Sequence, residues 1–410
     1  MTSKNFCFCA VLIALLSFIF VIPAESENIY SKWTNGPPKD GSFFLIGVFL
    51  QRMDKLQQYK DIGINTYVCI DGKTDSKALK AIKDAGMYCV AEGGDEEAWK
   101  NVKDKTIIAW RLPDEPDNFQ FKFNFAKGKR FPDKGNYSGK DETSRLPPAQ
   151  LKAMYDWIKK NDPTRPIHLT LGCGVTVDDT KNRGPGWNND SYFEYCKAAD
   201  IVGYDVYPIH SNRGAKEFLW LQAQGLDRLK KWSSDKPMWN FFECTHRNLV
   251  GPNPNELKCQ IWMSIIHGSM GIQYFCHEFN PECDWAFLNY PDLTDMAKKV
   301  NGQINQLAPV LNSPSVEGKV QVSSSNEAVP IDMMVKEFND KIYIFSCAMR
   351  MDRTNKTIAT FTIPELLGKA APVTVEVLGE PRTININNGR FEDRFRMWDS
   401  HVYSFSIAKK

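Results

Sequence analysis

The chain has 410 residues, 42% of them hydrophobic and 12% aromatic, with a formal net charge of +2. That length suits two or three domains, or one barrel with a smaller module, and the apolar share is ample for a large core. A near-neutral balance gives no basic field for nucleic acid or a membrane surface, so neither is expected as a partner.

The first predicted element is a targeting segment. Lys4 supplies a small positive region, residues 6–22 are almost wholly apolar, and Ala24 and Ser26 offer small residues for cleavage. Residues 1–26 therefore read as a signal peptide, with an uncleaved signal anchor as the alternative. No later apolar run is long enough to span a bilayer, so the mature chain is expected to be secreted and free of membrane. Asn136-Tyr-Ser, Asn189-Asp-Ser and Asn355-Lys-Thr are glycosylation sequons. Loss of Cys7 and Cys9 with the leader leaves nine of the eleven cysteines, an odd number that requires at least one unpaired thiol. Cys276 with Cys283, and Cys173 with Cys196, each bracket a loop and are the pairs considered. Cys69, Cys89, Cys173, Cys244, Cys276 and Cys347 lie in or beside strand runs and otherwise read as buried apolar thiols.

From residue 43 to about 312, strands and helices alternate. Apolar strand runs occupy residues 43–50, 63–71, 86–92, 107–111, 167–173, 201–207, 238–242 and 271–276. Helical runs fall at 54–62, 76–85, 148–161, 192–199, 215–232, 255–267 and 293–311, and Leu151, Met154, Trp157 and Ile158 show the helical spacing. An irregular insertion fills 117–145. Eight strands over this length match a (β/α)8 barrel, and strands apolar on both faces fit a sheet covered on both sides. A doubly wound open sheet is the competing topology. It usually brings a glycine-rich turn after the first strand, which residues 47–51 lack. After Pro314 short alternating runs follow, at 318–322, 331–336, 341–348, 357–362, 373–377, 382–386 and 401–407, separated by turns such as Asn387-Asn388-Gly389. The expected organisation is a leader at 1–26, a (β/α)8 TIM barrel at 27–314 and a small antiparallel β-sandwich at 315–410.

Side chains at the C-terminal ends of barrel strands converge on one mouth. The residues there are Gln51, Asp71, Glu92, Glu115, Tyr204, Asp205, Tyr207, Glu243, His246 and Glu278, an acidic and aromatic ring suited to a polyhydroxylated substrate. Eleven tryptophans also suit sugar stacking, although a large core accounts for most of them. Glu115 ends the fourth run and Glu243 the seventh. Cleaving a glycoside needs one carboxylic acid to protonate the leaving oxygen and an ionised carboxylate as nucleophile or base. Different surroundings let two glutamates divide those roles. Glu115, between two prolines and near Trp110, is the expected acid. Glu243, beside Asn240, His246 and Tyr204, is the expected carboxylate. Each has a plainer reading: Asp114 or Asp117 as helix caps in the Asp-Glu-Pro-Asp turn, and Glu243 as a structural ion-pair partner. The six histidines are scattered without metal-site spacing, and no Gly-x-Ser-x-Gly elbow occurs, so no metal and no cofactor are expected.

Trp110-Arg-Leu-Pro-Asp-Glu115-Pro and Phe241-Phe-Glu243 resemble the strand-4 and strand-7 motifs of clan A of the glycoside hydrolases, the retaining (β/α)8 enzymes. The resemblance covers residues 40–312, and a C-terminal β-sandwich is common among such enzymes. It implies Glu115 as acid/base and Glu243 as nucleophile in a retaining β-glycosidase, with the two carboxyl groups about 5–5.5 Å apart. It implies an oligo- or polysaccharide substrate, with Asp114, Asp205, Tyr204, Tyr207, His246 and Glu278 orienting the sugar. Asp114 stands where the clan usually has Asn, and its charge is expected to raise the proton affinity of Glu115. A carbohydrate-binding barrel without chemistry, or a different barrel hydrolase, is the alternative. Sugar, linkage, exo or endo action and oligomeric state are not encoded legibly.

Overall fold

The computed structural model describes residues 28–118, 145–176, 190–209, 218–246, 250–350, 356–369 and 372–406. The predicted leader, the three sequon asparagines and nearly all of the 117–145 insertion lie outside the described residues.

Eight parallel strands close on themselves: β1 (Leu45–Gln51), β2 (Thr66–Ile70), β3 (Tyr88–Glu92), β4 (Ile107–Arg111), β5 (Ile167–Leu171), β6 (Ile201–Tyr204), β7 (Met238–Glu243) and β8 (Ser269–Phe275). β1 pairs with both β2 and β8, which excludes the open doubly wound sheet. The helices between them are α1 (Leu56–Asp61), α2 (Ser76–Asp84), α3 (Glu96–Lys100), α4 (Pro148–Asn161), α5 (Asp190–Lys197), α6 (Leu221–Ser233), α7 (Pro254–Ile266) and α8 (Pro291–Leu311). Local chemistry sets their starts. Asp75 caps α2 by accepting the Ala78 N–H, and Asn253 with Glu256 forms a reciprocal capping box on α7. The sequence reading has no counterpart to α3, whose five residues are too few to show a helical period.

The barrel interior is filled rather than hollow. Leu45, Val68, Val90, Ile108, Ile201 and Trp239 form one cluster, closed below by Tyr30 and Trp33. The Tyr30 hydroxyl accepts the Trp239 indole N–H at 2.9 Å. The N-terminal segment thus plugs the bottom of the barrel and leaves the top for chemistry.

After β8 comes a two-stranded hairpin, β9 (Glu278–Phe279) and β10 (Glu282–Cys283). The C-terminal domain holds β11 (Gln321–Ser324), β12 (Ile331–Phe338), β13 (Lys341–Ala348), β14 (Lys356–Thr362), β15 (Val373–Val377), β16 (Thr383–Ile386), β17 (Arg390–Arg396) and β18 (Ser400–Ser406). They form a three-stranded sheet, β11-β14-β17, and a five-stranded sheet, β12-β13-β18-β15-β16. A separate core between them includes Phe361, Phe391, Phe395 and Tyr403. β17 is absent from the sequence reading for a physical reason. Its inward positions read Phe391, Asp393, Phe395, and the central one is a carboxylate bonded to Tyr403 and Arg382, so apolar alternation is interrupted.

The two domains pack through α7 and α8. Trp262 on α7 meets Phe345 on β13 with ring centroids 5.6 Å apart. His267, just after α7, bridges Asp227 on α6 and Asp332 on β12 at 2.9 and 3.0 Å. Phe345 and Val402 of the sandwich belong to the same hydrophobic cluster as the barrel's helix layer.

Candidate active site

Strand alternation decides which side chains reach the barrel mouth. On β7, Trp239 packs in the barrel interior, so Phe241 and Glu243 point the same way. Asn240 points outward, where its amide donates to Gln222 on α6 at 2.9 Å. On β6, Ile201 is interior, which aims Gly203 and Asp205 inward. Tyr204 takes the other face: it is fully buried, and its hydroxyl donates to the carbonyls of Leu221 and Gln222. Asn240 and Tyr204 are therefore not neighbours of the Glu243 carboxylate, and Tyr204 lies in the packing between β6 and α6. On β4, Trp110 also faces outward, stacked on Trp99 at 4.1 Å with its indole N–H on Asp162. It does not supply the apolar wall expected for Glu115.

Glu115 follows β4 in a sharply bent loop. Its φ of +40° is a left-handed conformation, which costs a non-glycine residue of order 1–3 kcal/mol. The loop is held on several sides. The Glu115 N–H donates to Thr170 on β5 at 3.1 Å, and Asn118 donates to Glu115 Oε2 at 2.6 Å. Asp117, fully buried, accepts from the Gly172 N–H and from the Tyr192 hydroxyl. Asp117 thus pins the loop to β5 and α5. Asp114 is tied to the Arg111 guanidinium, which is buried under the mouth and lies 4.5 Å from the Phe49 ring. Asp114 is thus paired with a buried cation, and its charge still adds to the raised proton affinity of the neighbouring Asp205.

Asp205 is the immediate partner of Glu115. Burial, then the charge of Glu115 and a hydrogen bond shared between the two carboxyl groups, push Asp205 well above the usual carboxylate range. Tyr207 donates to Asp205 Oδ2 at 2.9 Å. Two carboxyl groups that share a hydrogen bond titrate together rather than independently.

Glu243 sits differently. It is fully buried, and its Oε1 accepts the backbone N–H of Ile209 at 2.8 Å. Ile209 belongs to the loop that carries Asp205 and Tyr207, so β7 and the β6 loop are locked together at the carboxylate. His246 and Glu278 form a neighbouring group with Tyr290. The His246 and Tyr290 rings lie 4.2 Å apart, and the Tyr290 hydroxyl donates to Glu278 at 2.8 Å. An aromatic row leads outward from the centre: Phe275 is 4.9 Å from Tyr207 and 5.9 Å from Phe279, which is 56% exposed.

The other strand ends divide. Gln51 turns to α1, where it accepts from Tyr59, while Asp71 and Glu92 are exposed at the rim. Sequence reasoning missed Arg111, Asn118, Phe275 and Tyr290. Asn118 was detectable in principle, standing three residues after Glu115 in a turn-forming run; the others needed the fold. No disulfide joins any of the nine cysteines among the described residues in this structure, so neither Cys276–Cys283 nor Cys173–Cys196 is bonded, and Cys173 is exposed rather than buried. Among the described residues no group of three or more His, Cys, Asp or Glu is arranged to hold a metal ion.

No family model matches the chain, and no curated protein matches it in sequence. Solved structures do match. The α-amylase of Geobacillus thermoleovorans, solved with acarbose, is similar over 90% of this chain and 99% of its own, at 9% identity and a TM-score of 0.52. The α-galactosidase I of Mortierella vinacea covers 89% and 97% at 12% identity and 0.49. An endoxylanase of Clostridium papyrosolvens covers 89% and 97% at 13% identity and 0.44. At 9% identity the likeness to the amylase is one of fold alone.

Proposed function

We propose that the chain is a secreted glycoside hydrolase that cleaves β-glycosidic bonds with retention. The observation that carries this reading is the placement of Glu115 and Glu243 at the C-terminal ends of β4 and β7, around one mouth, in unlike surroundings. Glu115, paired with Asp205, holds the proton for the leaving oxygen. Glu243, accepting the Ile209 N–H, is the nucleophile. In the first step the proton of Glu115 passes to the glycosidic oxygen, the C–O bond breaks, and a Glu243 oxygen bonds the anomeric carbon. In the second, Glu115 takes a proton from water, the water oxygen attacks that carbon, and the Glu243 ester bond breaks. The residues of this chain carry every step, and no cofactor is invoked. Asp114, Asp205, Tyr207, His246 and Glu278 are assigned to sugar contacts, with the aromatic row as a stacking surface.

A second reading, a barrel that binds carbohydrate without hydrolysing it, is favoured by one observation: Glu243 has no exposed surface. Assaying wild type and Glu243→Gln against a panel of aryl glycosides separates the two. Hydrolysis requires turnover by wild type and a loss of about 10⁴-fold or more in the variant. Binding of the same sugars with equal inertness of both proteins would overturn it.

A further inference from the structure

We propose that Cys259 and Cys347 form a disulfide that ties the barrel to the β-sandwich domain. Cys259 lies on α7, Cys347 near the end of β13, and their Sγ atoms are 3.2 Å apart, although 88 residues separate them in sequence. Both are fully buried. An S–S bond is about 2.0 Å long, so closure needs the two sulfurs to approach by about 1 Å.

The pairing is held by the surrounding contacts. On α7, Lys258 donates to the Ser400 carbonyl at 2.8 Å and Asn255 to the Met397 carbonyl at 3.3 Å. Trp262 lies against Phe345 one turn further along the same helix. These contacts fix the register of α7 on the sandwich from both sides of Cys259. Trp398 and Met263 close the site against water. Burial, and then the neighbouring Cys347, hold the Cys259 thiol well above its ordinary range, so the folded, reduced pair reacts slowly. The bond therefore forms while the domains are docking. A small-molecule disulfide such as oxidised glutathione, or a protein disulfide donor, is the oxidant. One cysteine thiolate attacks the donor disulfide and releases one donor thiol. The second cysteine thiolate attacks the first cysteine's sulfur in that mixed disulfide, the bond to the donor breaks, and a second donor thiol leaves. Two cysteine thiols are oxidised and one donor disulfide is reduced. The inference stands independently of the glycosidase reading.

The test uses the full chain refolded with a mixture of reduced and oxidised glutathione, then denatured in a maleimide without reductant and digested. A cross-linked peptide pair containing Cys259 and Cys347, two hydrogens lighter than the separate peptides, is expected. Separate maleimide adducts on both, or a bond from either to a third cysteine, would overturn the proposal. Thermal melts give a second reading. Wild type should lose roughly 2–6 °C on full reduction, whereas Cys347→Ala should not respond to reductant. Equal responses would count against the bond.

Discussion

Glu115 and Glu243 occupy equivalent stations on the barrel, yet their surroundings differ in almost every respect. Glu115 stands in a bent loop with positive φ, half-buried, bonded to Asn118 and hydrogen-bonded to the Asp205 carboxyl group. Glu243 continues its strand, is fully buried, and accepts one backbone N–H. The first environment places a second carboxyl group next to the glutamate and so favours keeping a proton; the second offers a fixed donor to an anion. In the proposed mechanism the division of labour between acid and nucleophile follows from these neighbours rather than from the glutamates themselves. Of the neighbours, Asp205 matters more than the prolines or Trp110, which faces the helix layer.

The comparison can be broken first at Glu115. Glu115→Gln should lower kcat/KM by about 10²–10⁴-fold on substrates with poor leaving groups. The loss should be much smaller on aryl glycosides, whose leaving group needs little protonation. An equal loss on both classes would remove Glu115 from the acid role.

Asp205→Asn sharpens the same contrast through pH. Without a second carboxyl group beside it, Glu115 titrates alone and gives up its proton more readily, so the alkaline limb of the kcat/KM profile should move to lower pH, with roughly a tenfold loss at neutral pH. Stability should change in the opposite sense. The folded-state proton affinity of Asp205 is raised, so its contribution to stability is fully present below the ordinary carboxylate pKa and is lost as pH rises toward the raised value. Asn lacks that loss, and the variant should melt higher than wild type at pH 7, with the gap growing as pH rises. An unchanged alkaline limb would show that the two carboxyl groups do not titrate together.

The smallest effect is expected at Tyr204. Its hydroxyl serves the carbonyls of α6, so Tyr204→Phe should cost about 1 kcal/mol of stability and leave kcat/KM nearly unchanged. A large loss of activity with normal stability would return Tyr204 to the site.

Most of the architecture was legible because eight apolar runs with intervening helical periods leave few topologies open. The orientation of each strand end was not. Strands covered on both faces carry no alternation, so Tyr204 and Asp205, or Trp110 and Arg111, could not be sorted inward from outward by composition. Positive φ at Leu50 and Cys69 further resets the alternation at the ends of β1 and β2. The carboxyl pair between β4 and β6 depends on that orientation and on three strands meeting in space, which no single segment encodes. β17 was hidden by Asp393, an inward carboxylate whose side-chain partners, Tyr403 on β18 and Arg382 in the turn before β16, are distant in sequence.

The division of roles between Glu115 and Glu243 is tested most directly by the configuration of the first product. Proton NMR of the sugar released in the earliest turnovers from a β-glycoside substrate should show the β-anomer, with the α-anomer appearing only by mutarotation. Initial release of the α-anomer would mean that water, not Glu243, attacks the anomeric carbon, and would contradict the account.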